Sequence, residues 1–156
     1  MELGSRQFEK SAQGVDQPHL LGSAGADPEE VREHERAKAL IEKLWQTRSG
    51  VLSTQVLQEL CVNLRRKAGR PLALKATRDL IADYLSWQVV VNNGESILEA
   101  LDLENRYRLS FWDALVVQAA QASGADILYS EDLSHGRRYG TVRVVNPLVP
   151  GEVTPG

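Results

Sequence analysis

The sequence predicts an α/β protein in which helices pack on both faces of a short parallel sheet. Short apolar runs around Val51, Val89, Leu128 and Val144 alternate with longer segments of helical period. Those longer segments are mostly opened or closed by capping and stop residues. No internal repeat or shift of composition marks a second domain, and 156 residues with 42% hydrophobic content suffice for one domain with a core.

In chain order, Met1 to Ala26 carries neither a period of 2 nor one of 3.6, and its scattered glycine, serine and proline predict a flexible segment. Asp27-Pro28-Glu29-Glu30 opens the domain. Asp27 can cap a helix, Pro28 suits its first position, and Glu30 completes a capping box. That helix runs to about Thr47, with Ala37, Leu40, Ile41, Leu44 and Trp45 as its apolar stripe and Arg32, Glu35, Arg36, Lys38, Glu42 and Lys43 on a solvated face. Gly50 to Ser53 reads as a buried strand. Ser53 or Thr54 then caps a second helix that turns Val56 or Leu57, Leu60, Cys61 and Leu64 inward. Arg65-Arg66-Lys67 ends it, where cations suit the helix dipole and would equally suit phosphate. Gly69 stops the helix, and a third follows from Leu74 to Leu85.

Trp87 to Val91 is the next strand, Asn92-Asn93-Gly94 a turn, and Glu95 to Arg106 a helix. Ser110 stands three residues before Asp113 and opens another helix, with Phe111, Leu115, Val116, Ala119 and Ala120 at helical spacing and Gly124 as its stop. Asp126 to Tyr129 is a strand that closes on the acidic turn Ser130-Glu131-Asp132. A basic loop, His135-Gly136-Arg137-Arg138, leads to a last strand, Val142 to Val145, which Asn146-Pro147 terminates. Val149 to Gly156 is a frayed tail, so the domain spans residues 27–148 and holds four strands.

Composition excludes several classes. A formal charge of −3 gives no global attraction to nucleic acid, so any such contact needs local basic patches. One cysteine, Cys61, rules out an internal disulfide framework and a cysteine zinc site. No apolar run reaches the ~18 residues of a membrane span, and the start is too polar for a signal peptide, so the expected location is the cytoplasm. There is no phosphate-cradling glycine loop and no His or Cys at zinc-ligand spacing.

What remains is a set of carboxylates. Glu59 follows the first strand, Asp113 opens a helix, and Glu131-Asp132 follow the third strand. In a parallel α/β unit these places share the carboxyl edge of the sheet, where open sheets place ligands. Acids that converge there repel one another unless a cation neutralises them, and hard oxygen donors select Mg²⁺ or Mn²⁺. Each acid also has a plainer reading: Glu59 as an exposed helical glutamate, Asp113 as a cap-region acid at a helix N-terminus.

The segment SFWDALVVQAAQASGADILYSEDL, followed by RVVNP, resembles the C-terminal half of a PIN domain, specifically that of the VapC-like toxin ribonucleases of bacterial toxin–antitoxin pairs. The resemblance extends back through STQVLQEL and HERAKALIEKLW and covers about Glu33 to Leu148. It implies an α/β/α sandwich and a metal-dependent endoribonuclease. Mg²⁺ or Mn²⁺ would be held by Glu59, Asp113 and Asp132 with Glu131 adjacent, and a metal-bound water would attack the phosphodiester. Ser130 would donate to the cluster or to phosphate, and Arg65, Arg66, Arg137 and Arg138 would contact the RNA backbone. The resemblance also implies a homodimer and a small protein antitoxin. Nothing in the acids distinguishes RNA from DNA.

The chain departs from the family in one place. PIN domains begin with an apolar strand of the form DTNV, whose aspartate is a principal metal ligand. That strand lies between those matching Val51 and Leu128, and no such segment is present here. Three expectations follow: the N-terminal residues fill that slot poorly, or the four strands close up, or the chain is a truncated or misassigned reading frame whose true start has been lost, and the last is favoured because order begins abruptly at Asp27. An alternative function goes with it: a catalytically inactive PIN-like module that dimerises or binds antitoxin.

Overall fold

The computed structural model describes residues 2–3, 27–66 and 71–150. Most of the segment expected to be flexible (residues 1 and 4–26), Lys67 with Gly69, and residues 151–156 of the tail lie outside the described residues. The elements are β1 (Glu2–Leu3), α1 (Pro28–Thr47), β2 (Val51–Ser53), α2 (Thr54–Arg66), α3 (Leu74–Tyr84), β3 (Gln88–Val90), α4 (Gly94–Tyr107), α5 (Phe111–Ala122), β4 (Ile127–Tyr129), β5 (Arg138–Tyr139) and β6 (Val142–Val145).

Helix boundaries follow the local signals. Asp27 accepts from the Glu29 amide at 2.9 Å with Pro28 behind it, and Val31 N–H returns to the Asp27 carbonyl. Asn93 and Ser96 form a reciprocal capping box at the start of α4. Gly124, at φ +73°, supplies the left-handed turn that stops α5.

The sheet order is β3-β2-β1-β4-β6-β5, with all neighbours parallel except β5 against β6. Alternation along the strands divides the core in two. Leu52, Tyr129 and Val145 face α1, α2 and α3, where Leu40, Ile41, Leu44, Val56, Leu60 and Leu64 pack. Leu128 and Val144 face the opposite side with Val117 and Ala120 of α5. Helix α4 joins that layer through Ala100 against Ala114 and Leu115. The result is the expected three-layer α/β/α sandwich. Packing holds it. Burying one leucine contributes about 1.5–3 kcal/mol, against about 0–1 kcal/mol for an exposed pair such as Lys38–Glu42.

The sheet corrects the expected strand count. Its central position is filled by β1: Glu2 pairs with Val51 and with Leu128, and Leu3 with Tyr129. Two residues are too few to show an apolar period, yet their backbone satisfies both inner edges, which is what that slot demands. The basic loop likewise contains β5, an antiparallel edge pair of Arg138 with Arg143 and Tyr139 with Val142. Among the described residues the sheet therefore has six strands, not four.

Candidate active site

Five strands share one direction, so the chain leaves β2, β3 and β4 at a common edge and enters α2, α4 and the acidic turn there. A joint across that edge fixes the start of α2. The Asn92 Oδ1, just past β3, accepts from the Gln55 amide at 3.0 Å and from Thr54 Oγ1 at 3.0 Å, and Asn92 N–H donates back to Thr54 Oγ1. Ser53 Oγ accepts from the Val56 amide at 3.3 Å.

Glu59 lies half-buried one helical turn beyond Gln55. Gln55, 4% exposed, donates from Nε2 to Glu59 Oε1 at 3.0 Å and reaches the Trp112 carbonyl at 3.4 Å. One buried amide thus ties Glu59 to the first turn of α5, the turn that carries Asp113. Ser110 caps that turn: its Oγ accepts from the Asp113 amide at 3.1 Å and donates to Asp113 Oδ2 at 2.8 Å. Asp113 also acts on Tyr139 of β5. Burial pushes the Tyr139 phenol up, Arg137 draws it down, and Asp113 adds to the rise.

Ser130 ends β4 with its N–H on the Val145 carbonyl, and its Oγ accepts from the Asp132 and Leu133 amides at 3.2 and 3.3 Å. That turn leaves Asp132 exposed and Glu131 half-buried. The next loop is pinned at the same edge by the Asn146 amide, which donates to His135 Nδ1 at 3.0 Å.

The basic residues are dispersed. Arg65 and Arg66 end α2, about 17 Å along its axis from Thr54. Arg137 donates to the Tyr107 carbonyl at 3.2 Å and lies 5.1 Å over the Tyr139 ring. Arg138 is exposed on the outer strand β5. Arg65 and Arg66 lie at the far end of α2, whereas Arg137 and Asp113 both act on Tyr139.

The donor chemistry suits a hard divalent ion, but the placement does not complete a site. Among the described residues no three His, Cys, Asp or Glu side chains stand together as a metal-holding group. One oxygen of Glu59 and one of Asp113 are instead engaged by Gln55 and Ser110. The strand register runs Leu3 level with Tyr129, and the next residue in the sequence is Gly4, which has no carboxylate to add. The described residues by themselves do not fit Mg²⁺ or Mn²⁺.

Sequence reasoning missed Gln55 and Asn92. Gln55 could have been found only as the amide one helical turn before Glu59 on the same face of α2. Asn92 could not, because its role depends on strand pairing across the sheet.

The family model described as the PIN domain matches residues 29–140, more than half of the chain. No curated protein matches by sequence. Among solved structures, the chain is similar to the crystal structure of VapC20 of Mycobacterium tuberculosis, described as a sarcin-ricin loop cleaving toxin. The TM-score is 0.53 at 20% identity, over 83% of this chain and 87% of that one.

Proposed function

The chain belongs to the PIN domain family, and from that membership we propose that it is an endoribonuclease toxin of a toxin–antitoxin module. The observation that supports the reading is one buried amide at the carboxyl edge of the sheet, which bonds Glu59 and the backbone carbonyl of Trp112 beside Asp113, with Asp132 on the turn that leaves β4. The description of the similar protein as a sarcin-ricin loop cleaving toxin supports this reading. In this reading Glu59, Asp113 and Asp132, with Glu131 adjacent, are the groups on which hydrolysis depends. Ser130 holds the turn that presents Asp132. Arg137 and Arg138 border the loop beyond that turn, while Arg65 and Arg66 would serve only a strand running the length of α2.

The same reading includes Mg²⁺ or Mn²⁺ as the cofactor, a cognate antitoxin, a homodimer and a cytoplasmic location. No helix among the described residues is long and apolar enough to cross a membrane.

A second reading has a specific observation in its favour. The acids do not gather into a metal-holding group among the described residues. A member of the family with that edge would retain the fold and bind antitoxin or a second copy without cutting. The experiment is cleavage of RNA by the purified chain with added Mn²⁺, beside Asp113→Asn and beside single-stranded DNA. The nuclease reading expects Mn²⁺-dependent cleavage of RNA that Asp113→Asn abolishes. No cleavage, or cleavage indifferent to the substitution, leaves the binding module as the function.

A further inference from the structure

A cavity lies at the edge of the sheet opposite the carboxylates, where the chain enters β2 and β3. It has a volume of about 500 Å³ and is lined by Trp45, Arg48, Ser86, Trp87 and Gln88. That size lies within the range of small-molecule sites. Among the described residues that line it none is a carboxylate, and Arg48 is the one charged side chain.

Its aromatic wall is built and rigid. Trp45, Tyr84 and Trp87 form a closed triangle with centroids 5.1–5.4 Å apart. Beneath Trp87 lies Gly50, where an added Cβ would fall 2.1 Å from the ring, so glycine is what lets the indole lie against the chain. Closing the bottom of the core accounts for Tyr84, which is 4% exposed, but not for Trp45, which remains 37% exposed at the mouth.

Arg48 gives the second observation. It sits in the left-handed region at φ 52°, ψ 33°, closing α1 with its N–H on the Trp45 carbonyl. Glycine or asparagine adopts that conformation at lower cost. Arginine there places an exposed guanidinium on the rim of the aromatic pocket.

An indole face, a planar cation and the neutral polar side chains of Ser86 and Gln88 are the elements with which proteins hold an unpaired base and its phosphate. We propose that the Trp45–Arg48–Trp87 cavity is a second nucleotide subsite, taking one base and phosphate of single-stranded RNA at the edge remote from the carboxylates. The choice of RNA as ligand rests on the nuclease reading. A free nucleoside monophosphate offers the same chemistry and is the other source.

The test is binding, measured without divalent metal so that no cleavage intervenes. A fluorescein-labelled single-stranded oligouridylate and, separately, AMP are titrated into the wild type, Arg48→Ala, Trp45→Ala and the milder Trp45→Phe. Arg48→Ala and Trp45→Ala are each expected to weaken oligouridylate binding about tenfold or more. Trp45→Phe is expected to lose less, because a ring remains. Matching losses for AMP extend the subsite to free nucleotides, and losses confined to the oligonucleotide assign it to the strand. Circular dichroism checks that each variant is folded, and Trp45→Phe with Arg48→Ala carry the test if Trp45→Ala is not. If folded Arg48→Ala and Trp45→Phe bind both probes like the wild type, the proposal is overturned. A chain that binds through this cavity and cuts no RNA with Mn²⁺ keeps the subsite and loses the nuclease reading, so the two failures are distinct.

Discussion

At Gly50 the side chain is excluded by a neighbour. Any Cβ there must displace the Trp87 indole, which is itself locked by Trp45 and Tyr84. Overpacking of this kind costs about 1–3 kcal/mol, and Gly50→Ala is expected to lower the urea midpoint accordingly while leaving the m-value unchanged. Tyr129 makes a second prediction at this scale. It is 1% exposed, and burial, with a smaller push from Asp126, raises its phenol from 10.0 to about 12. A raised folded value means that the folded state keeps a proton the unfolded chain gives up. The stabilisation is therefore complete below pH 10 and is lost as pH rises to about 12. Burial also raises Tyr84 and Tyr139, which adds to the same trend. Denaturant unfolding from pH 8 to pH 12 should show stability falling only across the upper part of that range, by on the order of 2–3 kcal/mol for Tyr129, and Tyr129→Phe should flatten the fall.

At the scale of elements, α5 carries the most informative ambiguity. Asp113 occupies the third position of a helix whose cap is Ser110, so its carboxylate is stabilising there whether or not it serves chemistry. The two roles separate by magnitude. Ser110→Ala removes the cap and should cost about 1 kcal/mol of stability. Asp113→Asn loses only the charge–dipole interaction, about 0.3–1 kcal/mol, and yet should eliminate cleavage if the nuclease reading holds. Thermal melts of both variants beside the cleavage assay make the comparison. The α2–β3 joint is the other element-level device. Asn92 accepts from both Gln55 and Thr54, so Asn92→Ala should loosen the start of α2 and cost about 1–2 kcal/mol. Because Gln55 also holds Glu59, faster amide exchange is expected to extend from the start of α2 to Glu59.

Over the whole molecule, a two-residue strand completes the sheet. β1 pairs on both sides, joining β3-β2 to β4-β6-β5. A proline there removes a ladder N–H at the centre of the sheet, which costs about 3 kcal/mol or more. Leu3→Pro is therefore expected to reduce stability far more than Glu2→Ala and to speed amide exchange in both β2 and β4. Exchange that rises in one flank only would mean that β1 does not bridge the two halves.

The sequence by itself determined the α/β alternation and the family. These rest on local signals: a cap before an apolar stripe, a glycine after it, a strand too short to be anything else. It missed β1 and β5 because two residues carry no period, and their pairing is decided by partners far along the chain. Only the tertiary structure decided that Gln55 joins Glu59 to α5. It alone left the acids apart among the described residues and set Arg48 beside two indoles. The physical reason is the same in each case. Periodicity reports which face of an element is buried, whereas a site is made where faces of different elements meet, at distances that only packing sets.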